Sequence, residues 1–248
     1  MTSAPVLILA RVLGLAATAP GWGSRALGWR LRAALAVLLT MVLVPAIGPE
    51  LASPTDLASL GKAALAEGAV GAALGFSAAL IVAAARQGGE IVGAQAGLSA
   101  AGLLDPDLEA VGELNPIGHL YGLVALGTFL ALDGPLALVR SLMMSYQLVP
   151  AGGASLSAAS ATQLFGQVAG ALELALHLAA PTALALVVAG FALGLLARHA
   201  PASTALGLAW PLRSTLGLVL ALLGLAALVA ALTATWQDWL LNGPDLPL

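Results

Sequence analysis

The chain has 248 residues, of which 60% are hydrophobic and only 8% charged, with a formal net charge of −3. A soluble domain carries about 25% charged residues because its surface faces water, so this chain must turn apolar surface to lipid or to partner subunits. The absence of cysteine excludes disulfides, thiol chemistry and Cys-ligated metal, three scattered histidines offer no metal-ligand set, and the small net charge offers nothing to nucleic acid.

Six apolar runs lie at about residues 4–19, 31–47, 63–85, 118–139, 172–197 and 212–235, each near the roughly 17–25 residues that span a bilayer. Pro20, the group Pro45, Pro49 and Pro54, then Pro106 and Pro116, Pro150, and Pro201 with Pro211 separate them. Proline removes a backbone donor and restricts its predecessor, so these positions are expected at helix ends. Alanine and leucine dominate while aromatic residues are 4%, which predicts an all-α, polytopic membrane-type protein rather than a barrel.

The first run is read as retained, because Met1-Thr2-Ser3 has no basic region and Arg11 interrupts the apolar stretch. A charge inside a span costs about 2.5–3.5 kcal/mol on insertion scales. Arg11 is therefore expected to snorkel or to pair with a carboxylate of a neighbouring subunit, a structural role ahead of a transport one. The third run opens at Glu67 and carries Gly68, Gly71 and Gly75 at helical spacing. Small residues let helix backbones approach closely in lipid, within one chain or between subunits, and Gly190 and Gly194 repeat the pattern in the fifth run.

Between the third and fourth runs stands Gly88-Gly89-Glu90-Ile91-Val92-Gly93-Ala94-Gln95-Ala96-Gly97-Leu98-Ser99, followed by Asp105-Pro106. Four glycines among the first ten of these residues predict flexible backbone around Glu90 and Gln95. Two readings stay open from the residues alone: a cytoplasmic helix hairpin with glycine hinges, or a re-entrant loop forming a constriction, since irregular backbone at membrane depth must be enclosed by protein or line a cavity. Asp133-Gly134-Pro135 predicts a turn or kink in the fourth run. Glu173 and His177 are spaced for contact on one helix face, and His119, beside Asn115-Pro116, reads as a helix-start residue. Basic residues concentrate in the odd connections (Arg25, Arg30 and Arg32; Arg86; Arg198 and Arg213), which the positive-inside rule makes cytoplasmic, leaving both termini outside.

Enzyme motifs are missing. No HExxH, phosphate-binding loop or GxSxG sequence occurs, His119 and His177 are isolated, and no convergent nucleophile and base is offered. A small-solute transporter using Glu90, Gln95 and Asp133 would be expected to show inverted repeats, and no convincing internal repeat is seen.

The run Gly89–Ser99 with Asp105-Pro106 resembles the G-E-I-I-G-x-Q-x-G-L-S…D-P signature of the FliR/SctT family, export-apparatus proteins of the bacterial flagellum and of type III injectisomes. The resemblance extends along the chain through Arg11-Val12-Leu13 and Thr18-Ala19-Pro20, Glu67-Gly68 to Gly75-Phe76, Ser145 to Pro150-Ala151-Gly152, and Gly194 to Arg198 with Ala200-Pro201 and Trp210-Pro211-Leu212. It implies one domain over residues 1–248, a FliP-like four-segment part (1–150) followed by a FliQ-like helical hairpin (151–248). The implied role is that of a structural, cofactor-free subunit of an inner-membrane export gate, either flagellar or of the injectisome type. Its implied partners are FliP/SctR-like, FliQ/SctS-like and FlhB/SctU-like subunits, the lipid membrane and secreted unfolded proteins, with no nucleic acid. Residue by residue, the family's plug falls on Gln95, Gly97, Leu98, Ser99, Ala100, Leu103 and Leu104, and hinge or assembly positions on Arg11, Gly89, Glu90, Gly93, Pro201 and Pro211. Ala100 and Leu103 replace phenylalanines of well-known members, and Thr204 replaces an asparagine.

Overall fold

A computed structural model describes residues 3–22, 28–47, 56–98, 115–154, 158–198 and 202–242. Among them are eight α-helices and no strand: α1 (Ser3–Thr18), α2 (Trp29–Ile47), α3 (Leu57–Gln95), α4 (Pro116–Ala131), α5 (Gly134–Leu148), α6 (Ala158–Ala197), α7 (Ala202–Leu223) and α8 (Leu225–Asn242). The all-α expectation holds, and its cause is compositional. Alanine and leucine carry the best helix propensities, and a helix satisfies its own backbone groups away from water.

Local chemistry sets several ends. Asp56 stands at the start of α3, its carboxylate accepting from Leu57 N (2.8 Å) while its own N–H donates to Ser59 Oγ (3.2 Å), the return half of a capping box. The expected break in the fourth run is real: Asp133 takes the left-handed conformation (φ 56°, ψ 32°), proline follows in the first turn of α5, and α4 and α5 meet at a bend of 66°. A second bend, of 48°, separates α7 from α8 around Gly224.

The structure departs from the sequence reading in three places. The stretch from Gly88 to Gln95 is not a hinge or loop; it is the last part of α3, a continuous helix of 39 residues. Pro211 lies inside α7 rather than at a helix end, and Pro45 falls in the last turn of α2 rather than beyond it, as membrane helices tolerate when neighbouring groups take up the freed carbonyl. And the six apolar runs do not give six spans by length and composition. Among the described residues two helices are long and apolar enough to cross a membrane, Leu57–Gln95 and Thr162–Leu195, or up to four if each bent pair makes one span. At about 1.5 Å per residue, the 16 residues of α1 reach only about 24 Å, short of the roughly 30 Å hydrocarbon core.

The chain forms two compact units. One comprises Met1–Leu80, Phe129–Ala169 and Trp236–Leu248; the other Ile81–Thr128 and Gly170–Thr235. In the first, α1 buries Leu7, Ile8, Val12 and Leu15 completely and lies against α3 at backbone distance. A methyl group on Gly14 would strike the Gly68 carbonyl, and one on Gly71 the Arg11 carbonyl. Thr18 Oγ1 donates to the Ala72 carbonyl of α3 (2.9 Å). Phe129 and Trp236 are buried with ring centroids 4.8 Å apart, and Trp239 meets Trp236 edge-on.

In the second unit the same device recurs with other partners. A methyl on Gly88 would come within 2.9 Å of the Ala175 carbonyl, and one on Gly89 within 2.7 Å of Gly118 Cα and the Ile117 carbonyl. Tyr121, Leu186, Ala221, Leu228 and Leu232 form its apolar interior.

Candidate functional site

Two polar constellations stand out, one in each unit. The first is a buried ion pair. Arg11 at the middle of α1 and Glu67 on α3 are both wholly inaccessible, with Nε 2.6 Å from Oε2. The pair is closed by further hydrogen bonds. Arg11 Nη1 donates to Ser145 Oγ (3.0 Å) and Nη2 to the Val149 carbonyl (3.1 Å), and the guanidinium carbon sits 4.1 Å from the centroid of the Tyr146 ring. Glu67 Oε1 accepts from Gly152 N (2.7 Å), in a turn where Gly152 has φ 90°, a conformation that suits glycine. Three donors and two acceptors are thus satisfied within one chain. Arg11 neither snorkels nor waits for another subunit's carboxylate. Such saturation makes the cluster a structural joint of α1, α3, α5 and the turn after it, since a transport role needs a group that can release its partner.

The second constellation surrounds the end of α3. Ala96 N donates to the Val92 carbonyl (2.9 Å), Gly97 N to the Ala94 carbonyl (3.1 Å), and Gly97 takes φ 79°, a glycine-type helix stop. The last carbonyls of a helix have no partner within it. Here Arg213 Nε donates to the Gln95 carbonyl (2.6 Å) and Ser214 Oγ to the Ala96 carbonyl (3.1 Å), both from α7. A cation at a helix C-terminus also suits the helix dipole. From α4, Asn115 does two things at once: its Oδ1 accepts from Ile117 N (3.1 Å) to cap α4, and its Nδ2 donates to the Glu90 carbonyl (3.0 Å). A methyl on Gly93 would collide with the Asn115 amide, which would have to move away from its bond to the Glu90 carbonyl.

Gly89, Glu90, Gly93 and Gln95 therefore come together on one clamped helix end, with Gly97 and Leu98 directly after it. The glycines serve close approach rather than bending. Glu90 is one-third exposed, and its contact with Arg86 one turn back is 4.0 Å, a weak pair at this exposure. Gln95 Oε1 is buried and meets no hydrogen-bond donor among the described residues. Pro211 lies on α7, two residues before Arg213. Ser99, Ala100, Leu103, Leu104 and Pro201 lie outside the described residues. His177 Nδ1 lies 3.1 Å from the Glu173 backbone carbonyl, not against its carboxylate.

Sequence reasoning missed Asn115 as a link to α3, Ser214 as a cap, and Ser145, Val149 and Gly152 as partners of the ion pair. Asn-Pro at a helix start did signal the cap. Nothing in the sequence signalled the second bond, whose acceptor is a backbone carbonyl.

A family model described as bacterial export proteins, family 1, matches residues 2–239. The chain is 33% identical over 214 residues to the flagellar biosynthetic protein FliR of Escherichia coli (strain K12), covering 86% of this chain and 80% of that protein. It is 29% identical over 238 residues to the flagellar biosynthetic protein FliR of Caulobacter vibrioides, covering 94% and 93%. With the Yop proteins translocation protein T of Yersinia pestis it shares 29% identity over 197 residues, covering 78% and 74%.

Proposed function

Because this chain belongs to the bacterial export proteins, family 1, the FliR/SctT family, we propose that it is a structural subunit of a flagellar export gate, lining the channel through which unfolded proteins are secreted. Membership makes it a membrane component of the type III export apparatus, at the bacterial inner membrane. The flagellar setting is supported by 33% identity over 214 residues with a flagellar relative, against 29% over 197 with the Yersinia translocation protein.

The observation that carries the finer reading is the clamped end of α3. Asn115, Arg213 and Ser214 fix the backbone from Glu90 to Ala96, so the segment that departs at Gly97-Leu98 starts from a rigid base. A plug that must hold a channel shut and yield to a passing chain needs such a base. In this account Leu98, Ser99, Ala100, Leu103 and Leu104 supply a narrow apolar barrier, which closes a pore by steric filling and dewetting. Leucines do the filling that phenylalanines do elsewhere in the family.

FliP- and FliQ-like subunits, with an FlhB-like subunit beside them, are the partners of the assembly. Residues 1–150 form the FliP-like part and 151–248 the FliQ-like part. The long helical runs of α6 and of α7 with α8, joined by a short connection, support the second assignment. The apolar side chains exposed on α6, Phe165, Leu172, Leu176, Val188 and Phe191 among them, are surface of the kind that lipid or such subunits cover. The test is affinity purification of the tagged full-length chain from its own membranes, alongside a motility assay of a strain lacking it. FliP- and FliQ-like proteins are expected to co-purify, and motility to be lost. A chain isolated alone, from a strain whose deletion swims normally, would overturn the assignment.

A further inference from the structure

A groove of about 400 Å³ runs along α6, lined by Leu186, Val187, Gly190, Phe191, Gly194 and Leu195, and ends at Arg198 with Arg213 of α7. Its two parts differ sharply in chemistry. The body is aliphatic and aromatic, with Phe191 72% exposed. The end carries two positive charges, and among the described residues no carboxylate lies within ion-pair distance of either. Among the described residues Arg213 spends only its Nε, on the Gln95 carbonyl, which leaves its terminal nitrogens for a further acceptor.

We propose that this groove binds one anionic phospholipid, its phosphate held by Arg198 and Arg213 and an acyl chain laid along Leu186–Leu195. Two features argue for a lipid. Helix α6 stays apolar up to its end at Ala197, directly before Arg198, so the groove joins an apolar body to a basic end, and basic pockets between helices attract anionic lipid headgroups. From Arg198 back to Leu186 is twelve residues, about 18 Å of helix, close to half of the roughly 30 Å hydrocarbon core. The groove therefore fits the tail of one leaflet, whereas a partner's spanning helix would need twice that length. Charge complementarity selects an anionic headgroup over a zwitterionic one.

The test is native mass spectrometry of the full-length protein, with whatever subunits accompany it, exchanged into mixed micelles of phosphatidylglycerol and phosphatidylcholine. Retention of phosphatidylglycerol is expected to exceed that of phosphatidylcholine, by about fivefold per arginine and about thirtyfold for the two together. R198Q should reduce the preference about fivefold while R198K keeps it. G190L, at a position where an added Cβ meets nothing within 4 Å, should fill the groove and lose the lipid with both arginines intact. Equal retention of the two lipids, retention unaffected by R198Q and G190L, or displacement of phosphatidylglycerol by inorganic phosphate alone would overturn the proposal. So would an acidic segment of a co-purifying subunit cross-linked to position 198 in place of lipid.

Discussion

At the scale of single residues, the most consequential pair is Arg11 and Glu67. Two charges removed from water are costly, and their attraction offsets that cost only with good geometry and full hydrogen bonding, which the contacts to Ser145, Val149, Tyr146 and Gly152 supply. Removing one partner leaves the other charged and enclosed. R11L or E67L alone is expected to cost about 3–5 kcal/mol, read as a lowered unfolding temperature of the purified protein. The double variant R11L/E67L, which leaves no uncompensated charge, should lose less than the sum of the two. Strict additivity would mean that the two side chains do not act as a pair. The sequence marks both residues as anomalous, because a charge in an apolar run is visible without a structure. It does not pair them, since they are 56 positions apart, nor does it reveal the carbonyl and amide that complete the shell.

At the scale of helices, glycine carries two opposite meanings that sequence does not separate. A glycine can loosen a backbone or let another backbone come close. Around Gly88, Gly89 and Gly93 local reasoning predicts a hinge, and the structure has an unbroken helix because Ala175, Gly118 and Asn115 pack where side chains would stand. The kink at Asp133-Gly134-Pro135 was legible for the converse reason: its cause lies entirely in adjacent residues. The packing reading separates α3 from α6 by experiment. G89A should cost about 1–3 kcal/mol, as overpacking does, because its methyl meets Gly118 and Ile117. G170A, with nothing within 4 Å, should be neutral or gain up to about 1 kcal/mol in the isolated chain from better helix propensity. Thermal unfolding of the two variants in the same detergent decides this, and equal shifts would contradict it. If α6 packs against another subunit at Gly170, the same G170A substitution should weaken the assembled complex while leaving the isolated chain sound.

For the whole molecule, composition alone dictated a helical membrane protein, and the chain-long spread of motifs pointed to its family. What composition did not yield is how many apolar runs cross a bilayer. Hydropathy treats every apolar stretch as lipid-facing, yet α1 buries its apolar face and its arginine within protein. That is the expected economy of a subunit whose helices serve an assembly as much as a membrane. On the proposed function, the clamped end of α3 holds a segment that seals a channel. Deleting residues 100–104 in the full-length protein, and measuring ion permeability of membranes containing the assembled complex, tests it most directly. A marked rise in conductance is expected with the complex still assembled, and unchanged permeability in a normally assembled complex would rule out a sealing role.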